Sequence, residues 1–366
     1  MTGHVSDWFG GVGWRLAGGV RVTIGFVAAI GLAAAVVWAT GGPAADVLTR
    51  VVDGSVGSSR AIGATITASV PLLLVASSAI IAMRAGVLNI GQEGQVLTGA
   101  MTGAVVALEV EVTRQFEFFV VLVAAALGGA AWAGVGALLA YRFRVNVAIA
   151  TLLLTFVAFQ VAWYSVNQPW FLQELPTNAL GRSNPQSDLL PKSARLPSFE
   201  AFGVVTHGGV LIALAATLVV AWVLARTAWG FRVRVVGANP VAASESGISP
   251  ARVNAQALCV SGALAGLAGG VILTGTAFRF QPGIADSNGW DGFLVALVAG
   301  LQPRFAVPAA LLFGALRTGG DVLSATGSPA SIVEVVQALI VIGVSVALSV
   351  HPRTRRATKR TAAVTT

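Results

Sequence analysis

The chain has 366 residues, of which 55% are hydrophobic and 10% are charged, and its mean hydropathy is +0.80. Soluble domains carry roughly a quarter of their residues as charged side chains, so this composition indicates an integral membrane protein and excludes a secreted domain or a nuclear DNA-binding protein. The net charge of +8 comes from basic residues scattered between apolar segments, which is typical of orientation signals beside lipid, and no nucleic-acid partner is expected.

Apolar segments of span length predict an all-α fold, a polytopic transmembrane helix bundle. Crossing a hydrocarbon core about 30 Å thick takes roughly 20 apolar residues in a helix. About ten crossings are predicted, at 20–40, 61–83, 87–108, 118–141, 146–166, 207–225, 254–278, 289–302, 306–326 and 330–350. The eighth is short. Residues 20–350 are therefore expected to form one transmembrane domain, whose first crossing is a retained anchor because 1–19 lacks the features of a cleaved signal peptide.

The segments between the crossings predict the orientation. Most Lys and Arg residues lie inside if the N-terminus is cytoplasmic, so 1–19 and the basic tail 351–366 are both expected in the cytoplasm. The outer loop 167–206 is rich in Pro, Ser and Asn and is expected to be irregular or partly helical. The inner loop 226–253 is basic, with Gly and Pro at intervals, and suits a short helix between turns. The tail is expected to contact lipid headgroups.

A polar, glycine-rich segment opens the third predicted crossing. It runs from Arg84 to Gln95 as Arg-Ala-Gly-Val-Leu-Asn-Ile-Gly-Gln-Glu-Gly-Gln. A carboxylate facing acyl chains costs about 2.5–3.5 kcal/mol, so Glu93 is expected to face the bundle interior or a water-filled path. Asn89 lies four residues before Glu93 and would share its helix face. Two interpretations stay open: these polar groups tie helices together by hydrogen bonds, or they line a pathway.

Glycines at a spacing of four residues predict close contacts between helix backbones. Small residues at this spacing let another helix approach closely inside a membrane. The glycines expected at such contacts are Gly99, Gly103, Gly262, Gly266 and Gly270. Their predicted role is packing.

A charged pair is predicted in the ninth crossing. Arg317 and Asp321 are four residues apart, so they share a helix face and can neutralise each other. A structural ion pair is favoured over a contact with a solute.

An internal similarity predicts an inverted repeat. The segment Asn288-Gly-Trp-Asp-Gly292 resembles Asn89-Ile-Gly-Gln-Glu-Gly94, because each places an acid–glycine pair at the start of an apolar crossing. The preceding crossings run in opposite directions in the predicted topology. Crossings two to five and seven to ten are therefore hypothesised to be related by an in-plane twofold axis, with Asp291 and Glu93 at related positions. Chance is the alternative explanation of so short a similarity.

Several kinds of chemistry are excluded by the sequence. The chain lacks a G-x-x-x-x-G-K-[ST] motif, and its only lysines are Lys192 and Lys359, so it is not expected to hydrolyse ATP itself. One cysteine, Cys259, and three scattered histidines do not suit a metal site. No catalytic residue, metal or bound cofactor is therefore predicted.

Three segments in order carry a resemblance to a known family. They are Gly86–Gln95 with its Asn-Ile-Gly-Gln-Glu-Gly-Gln motif, Gly230–Ile248, and Ser261–Gly269 followed by Gly289–Leu297. They resemble motifs of the permease subunits of bacterial ABC importers of the branched-chain amino acid, ribose and nucleoside class. The closest similarity is to the nucleoside and simple-sugar group, and it extends over most of the chain from about residue 60 to 350.

The resemblance implies that residues 237–248 form a coupling helix that docks in a cleft of a separate ATPase subunit. The residues expected in that contact are Gly237, Asn239, Ala242, Ala243, Glu245, Gly247 and Ile248. Small side chains in this set suit close docking. Many importer permeases carry Glu-Ala-Ala where this chain has Val241-Ala242-Ala243, so the acidic contact of that broader motif is not implied here.

The resemblance also implies a function and partners. The chain would be the permease of an ATP-driven importer in a bacterial cytoplasmic membrane, carrying a nucleoside or related small polar solute. Its partners would be an ABC ATPase that holds ATP and Mg²⁺, a second permease, identical or related, an extracytoplasmic substrate-binding protein, and membrane lipid. The residues predicted to line the solute pathway are Asn89, Gln92, Glu93, Gln95, Thr151, Thr155 and Asp291.

Other functions stay open at this point. A branched-chain amino acid or sugar permease of the same architecture is the nearest alternative. An ion- or proton-coupled secondary transporter is less favoured; Glu93 and the Arg317–Asp321 pair would then be its coupling groups. A membrane scaffold without transport activity fits poorly with so many intramembrane polar groups.

Overall fold

The structure is a computed structural model, and most of the bundle lies within the residues it describes. These are 44–325, apart from 111–112, 114–115, 175–183 and 202, and in addition 335, 338, 339, 342 and 343. The chain divides into two units, residues 46–333 and the two chain ends, 1–45 with 334–366. Almost all described residues belong to the first unit. The predicted N-terminal segment, first crossing and basic tail, and most of the tenth crossing, lie outside the described residues.

Helices dominate the described part of the chain. They are α1 (Ala44–Val56), α2 (Ser59–Arg84), α3 (Gln92–Glu109), α4 (Glu117–Arg142), α5 (Val147–Ser165), α6 (Gly209–Arg226), α7 (Ala228–Ala238), α8 (Pro240–Glu245), α9 (Pro250–Ile272), α10 (Asn288–Val298) and α11 (Pro303–Ala325). A short 3-10 helix, Lys192–Ala194, precedes two antiparallel strands, β1 (Ser198–Ala201) and β2 (Val204–His207), and a π-helical turn, Leu273–Ala277, follows α9. The all-α prediction therefore holds for most of this part but missed the hairpin.

Six of these helices are long and apolar enough to cross a membrane: α2, α4, α5, α6, α9 with its π turn, and α11. They correspond to the second, fourth, fifth, sixth, seventh and ninth predicted crossings, which confirms a multi-pass helical membrane protein. The third and eighth predicted crossings correspond to α3 and α10, which are not among the six. With 11 residues, α10 is about 16 Å long at 1.5 Å per residue, too short for the hydrocarbon core.

Side-chain caps fix where several helices begin. Ser58 Oγ accepts a hydrogen bond from the Ala61 amide at the start of α2, and Asn146 Oδ1 accepts from the Ala148 amide at the start of α5. Ser249 caps α9 in the same way. A cap of this kind supplies a partner for one of the free N–H groups of the first turn and stabilises the helix by about 1 kcal/mol.

The centre of the bundle is formed by α2 and α9. In their most apolar windows, 78% of α2 and 67% of α9 are buried, against 28% for each of α4, α5 and α6. The outer helices expose large apolar side chains such as Leu127, Phe156 and Leu218. Since exposed apolar side chains at this density suit lipid and not water, α4, α5 and α6 form the lipid-facing or partner-facing wall.

Small residues allow the central helices to touch. A side chain added at Gly99 on α3 would collide with the backbone of Gly266 on α9, and one added at Gly262 would collide with α4 at Gly129. Gly270 faces the Ala125 side chain of α4, and Gly103 lies near the side chain of Leu273. Four of the predicted packing glycines, Gly99, Gly262, Gly266 and Gly270, thus sit where a β-carbon would push helices apart, and Gly103 packs against side chains.

The outer loop covers the end of the bundle where α9 ends. Within its described residues, the Ser187, Leu190 and Leu196 amides donate to the carbonyls of Phe280, Phe278 and Thr274, at 2.8–2.9 Å. The hairpin lies against α2, where Thr67 and Thr206 hydroxyls are 3.3 Å apart. A loop expected to be irregular is thus held to the bundle by backbone hydrogen bonds and a two-stranded sheet.

Candidate functional site

The first polar cluster surrounds the break between α2 and α3. We call it the break network and define it as Ser78, Asn89, Gln92, Gln95 and Ser261. Asn89 Nδ2 donates to Gln95 Oε1 at 2.9 Å, and Gln95 Nε2 donates back to Asn89 Oδ1 at 3.1 Å. Asn89 also donates to Ser261 Oγ, Gln92 donates to Ser78 Oγ, and the two serine hydroxyls are 2.8 Å apart. The network therefore ties α2, the break, α3 and α9 together.

The break network also supplies partners for non-helical backbone. Residues 85–91 connect α2 to α3 without forming a helix, and the Gly91 amide donates to Asn89 Oδ1 at 3.1 Å. The side chains of Asn89, Gln92 and Gln95 are each 1% exposed. Irregular backbone at membrane depth is tolerated only when it is enclosed by protein or lines a cavity. Residues 89–91 are buried or half-buried, whereas Gly86 and Leu88 are exposed.

Two predicted threonines lie beside this break on α5. Thr151 Oγ1 accepts from the Ile90 amide at 3.2 Å and donates to the Val147 carbonyl at 2.9 Å. Thr155 Oγ1 donates to the Thr151 carbonyl, and Gly94 packs directly on Thr155. Both threonines are almost completely buried. Their hydroxyls therefore serve packing and the break in this conformation.

Glu93 holds the start of α10 across the bundle. Its carboxylate accepts hydrogen bonds from the Ser287 amide at 2.9 Å and the Gly289 amide at 2.6 Å, and the side chain is 3% exposed. Free N–H groups and the positive end of the helix dipole meet at a helix N-terminus, which makes it a favourable partner for a carboxylate. Gly289 lets α10 approach this close, because any side chain there would collide with Glu93. The two acid–glycine motifs predicted to be related thus meet in space.

Arg317 has different partners from the one predicted. Its guanidinium forms ion pairs with Asp286 and, at 3.8 Å, with Asp291, and it donates to Asn288 Oδ1 at 3.1 Å. The predicted partner Asp321 is not within ion-pair distance among the described residues, although Arg317 still acts on it electrostatically. The reason is that the loop before α10 and the first turn of α10 together bring two carboxylates and an amide onto the Arg317 face of α11. A rule that pairs residues four apart on one helix cannot predict partners that come from another part of the fold.

A cavity of about 310 Å³ opens beside this arginine. It lies between α2, α9, α11, the end of β2 and the start of α10. Its polar wall consists of Thr67, His207, Thr276, Asp286, Asn288, Arg317, Thr318 and Asp321. The remaining lining is apolar, with Ala64, Ala68, Pro71, Val271, Ile272 and Ile284. The lining is thus mixed, and a cavity of this size in which polar groups converge beside apolar surface suits a small polar molecule.

The cavity wall and the predicted pathway are different sets of residues. None of the seven predicted pathway residues lines this cavity, although Glu93 and Asp291 contact its neighbours at the start of α10. Arg317 and Asp321, predicted as a structural pair, do line it. The sequence analysis missed His207, whose Nδ1 accepts from the Gly209 amide at 3.1 Å and whose burial lowers the pKa of its imidazole. Its only sequence signal was its position at the start of a predicted crossing.

The predicted coupling segment lies at the opposite end of the bundle. Asn239 caps α8, with its Oδ1 accepting from the Val241 and Ala242 amides at 3.0 and 3.1 Å. Ala243 is fully buried, whereas Val241 is 64% exposed. Gly247 ends the helix with φ +79°, a left-handed conformation that favours glycine. The other predicted residues of the segment are likewise either packed on the bundle or exposed.

The predicted coupling residues fall into an anchored and an exposed set. Gly237 packs on the backbone of Arg84 at the end of α2, where a side chain would collide. Ala242 and Glu245 are exposed, and Ile248 is half-buried. The segment is thus fixed to the bundle on one side and presents a short helix on the other.

These features define the class of protein. Six spanning helices around buried polar groups and an internal cavity are typical of a multi-pass membrane transport protein. Among the residues that the structure describes, no group of three or more His, Cys, Asp or Glu side chains could hold a metal ion.

The particular family follows from comparison with known proteins. The chain belongs to the family described as the branched-chain amino acid transport system / permease component, whose model matches residues 61–345. This confirms the resemblance seen in the motifs. Members are permease subunits of ABC transport systems, which are transport proteins and not enzymes, and ATP hydrolysis lies in a separate subunit.

Curated relatives carry different solute names. A glucose ABC transporter permease of Haloferax volcanii is 33% identical over 75% of this chain and 73% of its own length. A nucleoside ABC transporter permease of Lactococcus lactis is 30% identical over 80% of this chain and 81% of its own. A guanosine ABC transporter permease of Bacillus subtilis is 28% identical over 78% and 80%. No solved structure matches the chain.

Proposed function

We propose that this chain forms the membrane pathway of an ATP-driven importer for a nucleoside or a related small polar solute, and that residues 237–248 couple it to a separate ATPase. Membership of the permease family supports the transport role. A solute released by a binding protein would enter the bundle, and nucleotide binding and hydrolysis in the ATPase would switch the side to which the pathway opens. ATP and Mg²⁺ would be held by that partner, with no cofactor on this chain.

The observation that carries the coupling proposal is the exposed face of α8. Val241 is 64% exposed at an end of the bundle where Arg84 and Arg226 close α2 and α6. Arginines at helix ends favour the aqueous cytoplasmic surface, so this apolar side chain faces water unless a protein covers it. Ala243 and Gly237 fix α8 to the bundle, so a force on the exposed face would reach α2.

The solute proposal rests on the named relatives. Two of those described above carry nucleoside or guanosine in their names and one carries glucose. These solutes share hydroxyl groups and a lack of net charge. A sugar is therefore the second candidate, and a branched-chain amino acid, which the family description names, is the third.

Broken helices support an inverted repeat and a larger number of crossings. A long helix precedes each break: α2 leads through 85–91 to α3, and α9 leads through 278–287 to α10. Both short helices begin deep in the bundle, since Gly94 packs on Thr155 and Gly292 packs on Val75, each midway along a spanning helix. Helices that start at the midplane and face each other are typical of transporters with inverted repeats. About ten crossings, with both termini in the cytoplasm, complete this proposal.

A second permease is proposed to pair with this one. α5 presents an outward face on which Phe156, Trp163 and Tyr164 are exposed, and Gln160 is exposed among them. A polar amide facing lipid is unfavourable, so a protein partner on this face would be favoured. The substrate-binding protein would dock on the outer loop and hairpin, and a cytoplasmic membrane would surround the complex.

The ion-coupled alternative now has weaker support. Glu93, its first coupling candidate, accepts two backbone hydrogen bonds in a buried site, and Arg317 is engaged by Asp286. A coupling carboxylate needs access to water to exchange its proton, and Glu93 is 3% exposed.

The test is capture of the ATPase followed by uptake. The permease is co-expressed with a candidate ATPase, second permease and binding protein, and the complex is reconstituted in vesicles. We expect Val241→Glu to lose the ATPase on purification and to abolish ATP-driven uptake. Val205→Glu on β2 is the matched control for ATPase capture, because Val205 is 59% exposed at the opposite end of the bundle.

Two results would contradict the proposal. Retention of the ATPase by Val241→Glu at the level of Val205→Glu would exclude α8 as the docking contact. Uptake driven by a proton or sodium gradient, without ATP, would exclude the importer itself.

A further inference from the structure

The cavity beside Arg317 lies at the end of the bundle that receives a solute in the proposed function. Its wall comes from the first half of α2, the end of α9, the second half of α11 and His207 just before α6. The coupling segment contacts the other end of α2, at Arg84. A solute in this cavity would therefore lie near the outer end of the permease, away from the ATPase contact.

The charges of the cavity wall do not suit an anion. Arg317 is the cationic side chain of the wall, and Asp286 and Asp321 are its carboxylates. The guanidinium is already engaged by Asp286, Asn288 and Asp291. Because one cation faces two carboxylates and is itself neutralised, the wall has a net charge of about −1 and would repel a phosphate or a free carboxylate.

The same wall offers both kinds of hydrogen-bonding group to a neutral molecule. No hydrogen bond or ion pair of the described residues uses the Asp321 carboxylate, which leaves both of its oxygens as acceptors. His207 accepts a hydrogen bond at Nδ1 from the Gly209 amide, so in the neutral ring Nε2 carries the proton and is a donor. Burial lowers the pKa of this imidazole, which favours the neutral form near pH 7.

Hydroxyl-bearing solutes match this pattern. A sugar or ribose hydroxyl donates to a carboxylate and accepts from an N–H at once. The Thr67 and Thr276 hydroxyls add further groups of the same kind, and Pro71, Val271 and Ile272 supply an apolar surface for a ring. A volume of about 310 Å³ is within the range of sites for small molecules.

We propose that this cavity holds the transported solute inside the permease, and that the solute is a neutral polyhydroxyl molecule bound through hydrogen bonds to Asp321 and His207. The proposal rests on the importer function proposed above and narrows its solute class. It favours a nucleoside or sugar over a nucleotide or an amino acid, since neither a phosphate nor an α-carboxylate finds a free cation in the wall.

The single cysteine makes the proposal testable by thiol protection. Cys259 is replaced by alanine, and Thr276→Cys places one thiol on the cavity wall; Glu200→Cys, exposed on β1 and outside the cavity, is the control. The permease with its ATPase is purified in detergent and labelled with a maleimide in the presence of guanosine, glucose, leucine or guanosine 5′-monophosphate. ATPase capture is measured on the same preparations, and ATP-driven uptake is measured after their reconstitution in vesicles.

Guanosine or glucose is expected to slow labelling of the cavity thiol by a factor of 1 + [solute]/Kd, about tenfold when the solute is about ten times above Kd. Leucine and the nucleotide should not protect it, and the thiol on β1 should label at one rate throughout. Protection by leucine or the nucleotide to the same extent would overturn the neutral-solute assignment. Protection by none of the four, in a complex that captures its ATPase, would overturn the site and leave the importer function standing. Loss of ATPase capture and uptake together would instead refute the importer function.

Discussion

Two polar regions inside one bundle differ in what their side chains face. In the break network, amides and hydroxyls bond to one another, and Asn89, Gln92 and Gln95 are each 1% exposed. In the cavity wall, Asp321 and His207 line open volume, and the imidazole accepts its hydrogen bond from the protein at Nδ1. Both regions consist of polar residues within or beside apolar helices, so composition alone does not separate them.

The difference teaches that intramembrane polarity has two separate physical causes. A helix that breaks at depth leaves backbone N–H groups without partners, and nearby side chains must satisfy them. A solute site needs polar groups that are left without protein partners until the solute arrives. Bonding within the protein therefore indicates architecture, and unused donors and acceptors beside a cavity indicate binding.

The largest effect is expected from loss of the Glu93 carboxylate, which joins α3, beside the break network, to the start of α10, beside the cavity. Glu93→Ala leaves the Ser287 and Gly289 amides without their acceptor at the start of α10, and each bond to a charged acceptor contributes about 1.5–3 kcal/mol. We expect the free energy of unfolding in mixed detergent to fall by about 3–5 kcal/mol. Glu109→Gln, at the other end of α3, is the control and should change it by less than about 0.5 kcal/mol. An equal effect of the two substitutions would refute the helix-holding role of Glu93.

A smaller effect is expected inside the break network, and it separates the two roles of Asn89. Asn89→Ala removes bonds to Gln95 and Ser261 and should lower the free energy of unfolding by about 1–3 kcal/mol. If Asn89 serves architecture, uptake per folded molecule stays near that of the parent once protein levels are equalised. A tenfold loss of uptake in stable protein would instead support the pathway role predicted from sequence.

Much of the fold follows from hydrophobic segment length. Six predicted crossings match spanning helices to within a few residues because a membrane demands about 20 apolar residues in helical form. The third crossing was predicted from residue 87, whereas α3 starts only at Gln92. The eighth, already short in the prediction, corresponds to α10, which ends at Val298 and not at 302. A hydropathy profile does not reveal where a helix is interrupted when only a few buried polar side chains supply hydrogen bonds to the interrupted backbone. The hairpin was missed because two four-residue strands give too little periodicity.

The candidate site was predictable only in part, for a related reason. The motif around Glu93 stood out because a carboxylate and three glycines interrupt an apolar segment. The partner of Arg317 could not be predicted in this way, because Asp286 lies in a loop 31 residues earlier and reaches α11 only through the tertiary fold. His207 gave no signal beyond its place beside a crossing, since one histidine at a helix end has many ordinary roles.

A substitution in the cavity wall tests the other side of the comparison. Asp321→Asn keeps the size of the side chain and removes its charge, so a hydroxyl loses a charged acceptor worth about 1.4 kcal/mol, or tenfold. We expect uptake of guanosine or glucose to fall about tenfold while the free energy of unfolding changes by less than about 0.5 kcal/mol. Asp53→Asn in α1 is the matched control, because Asp53 is exposed and outside the cavity. Equal uptake by the two variants would contradict a role of Asp321 in binding.

The smallest expected effect is the pH dependence contributed by His207. Burial lowers the pKa of this imidazole in the folded protein below its ordinary value of about 6.5. As pH falls below about 6.5, the unfolded chain takes up a proton that the folded chain does not, so stability decreases in that window and is constant above it. The slope is at most about 1.4 kcal/mol per pH unit for one group.

The measurement is the unfolding free energy in detergent between pH 7.5 and pH 5, about the ordinary range of a histidine. Asp286, Arg317 and Asp321 line the same cavity, so the readout is the difference between the parent and His207→Gln, in which those groups are retained. We expect the parent to lose stability on acidification by more than the variant, because protonation removes the Nδ1 lone pair that accepts from the Gly209 amide. Parallel curves for the two proteins would mean that His207 is not held neutral by its site, and the donor assigned to the cavity at Nε2 would lose its support.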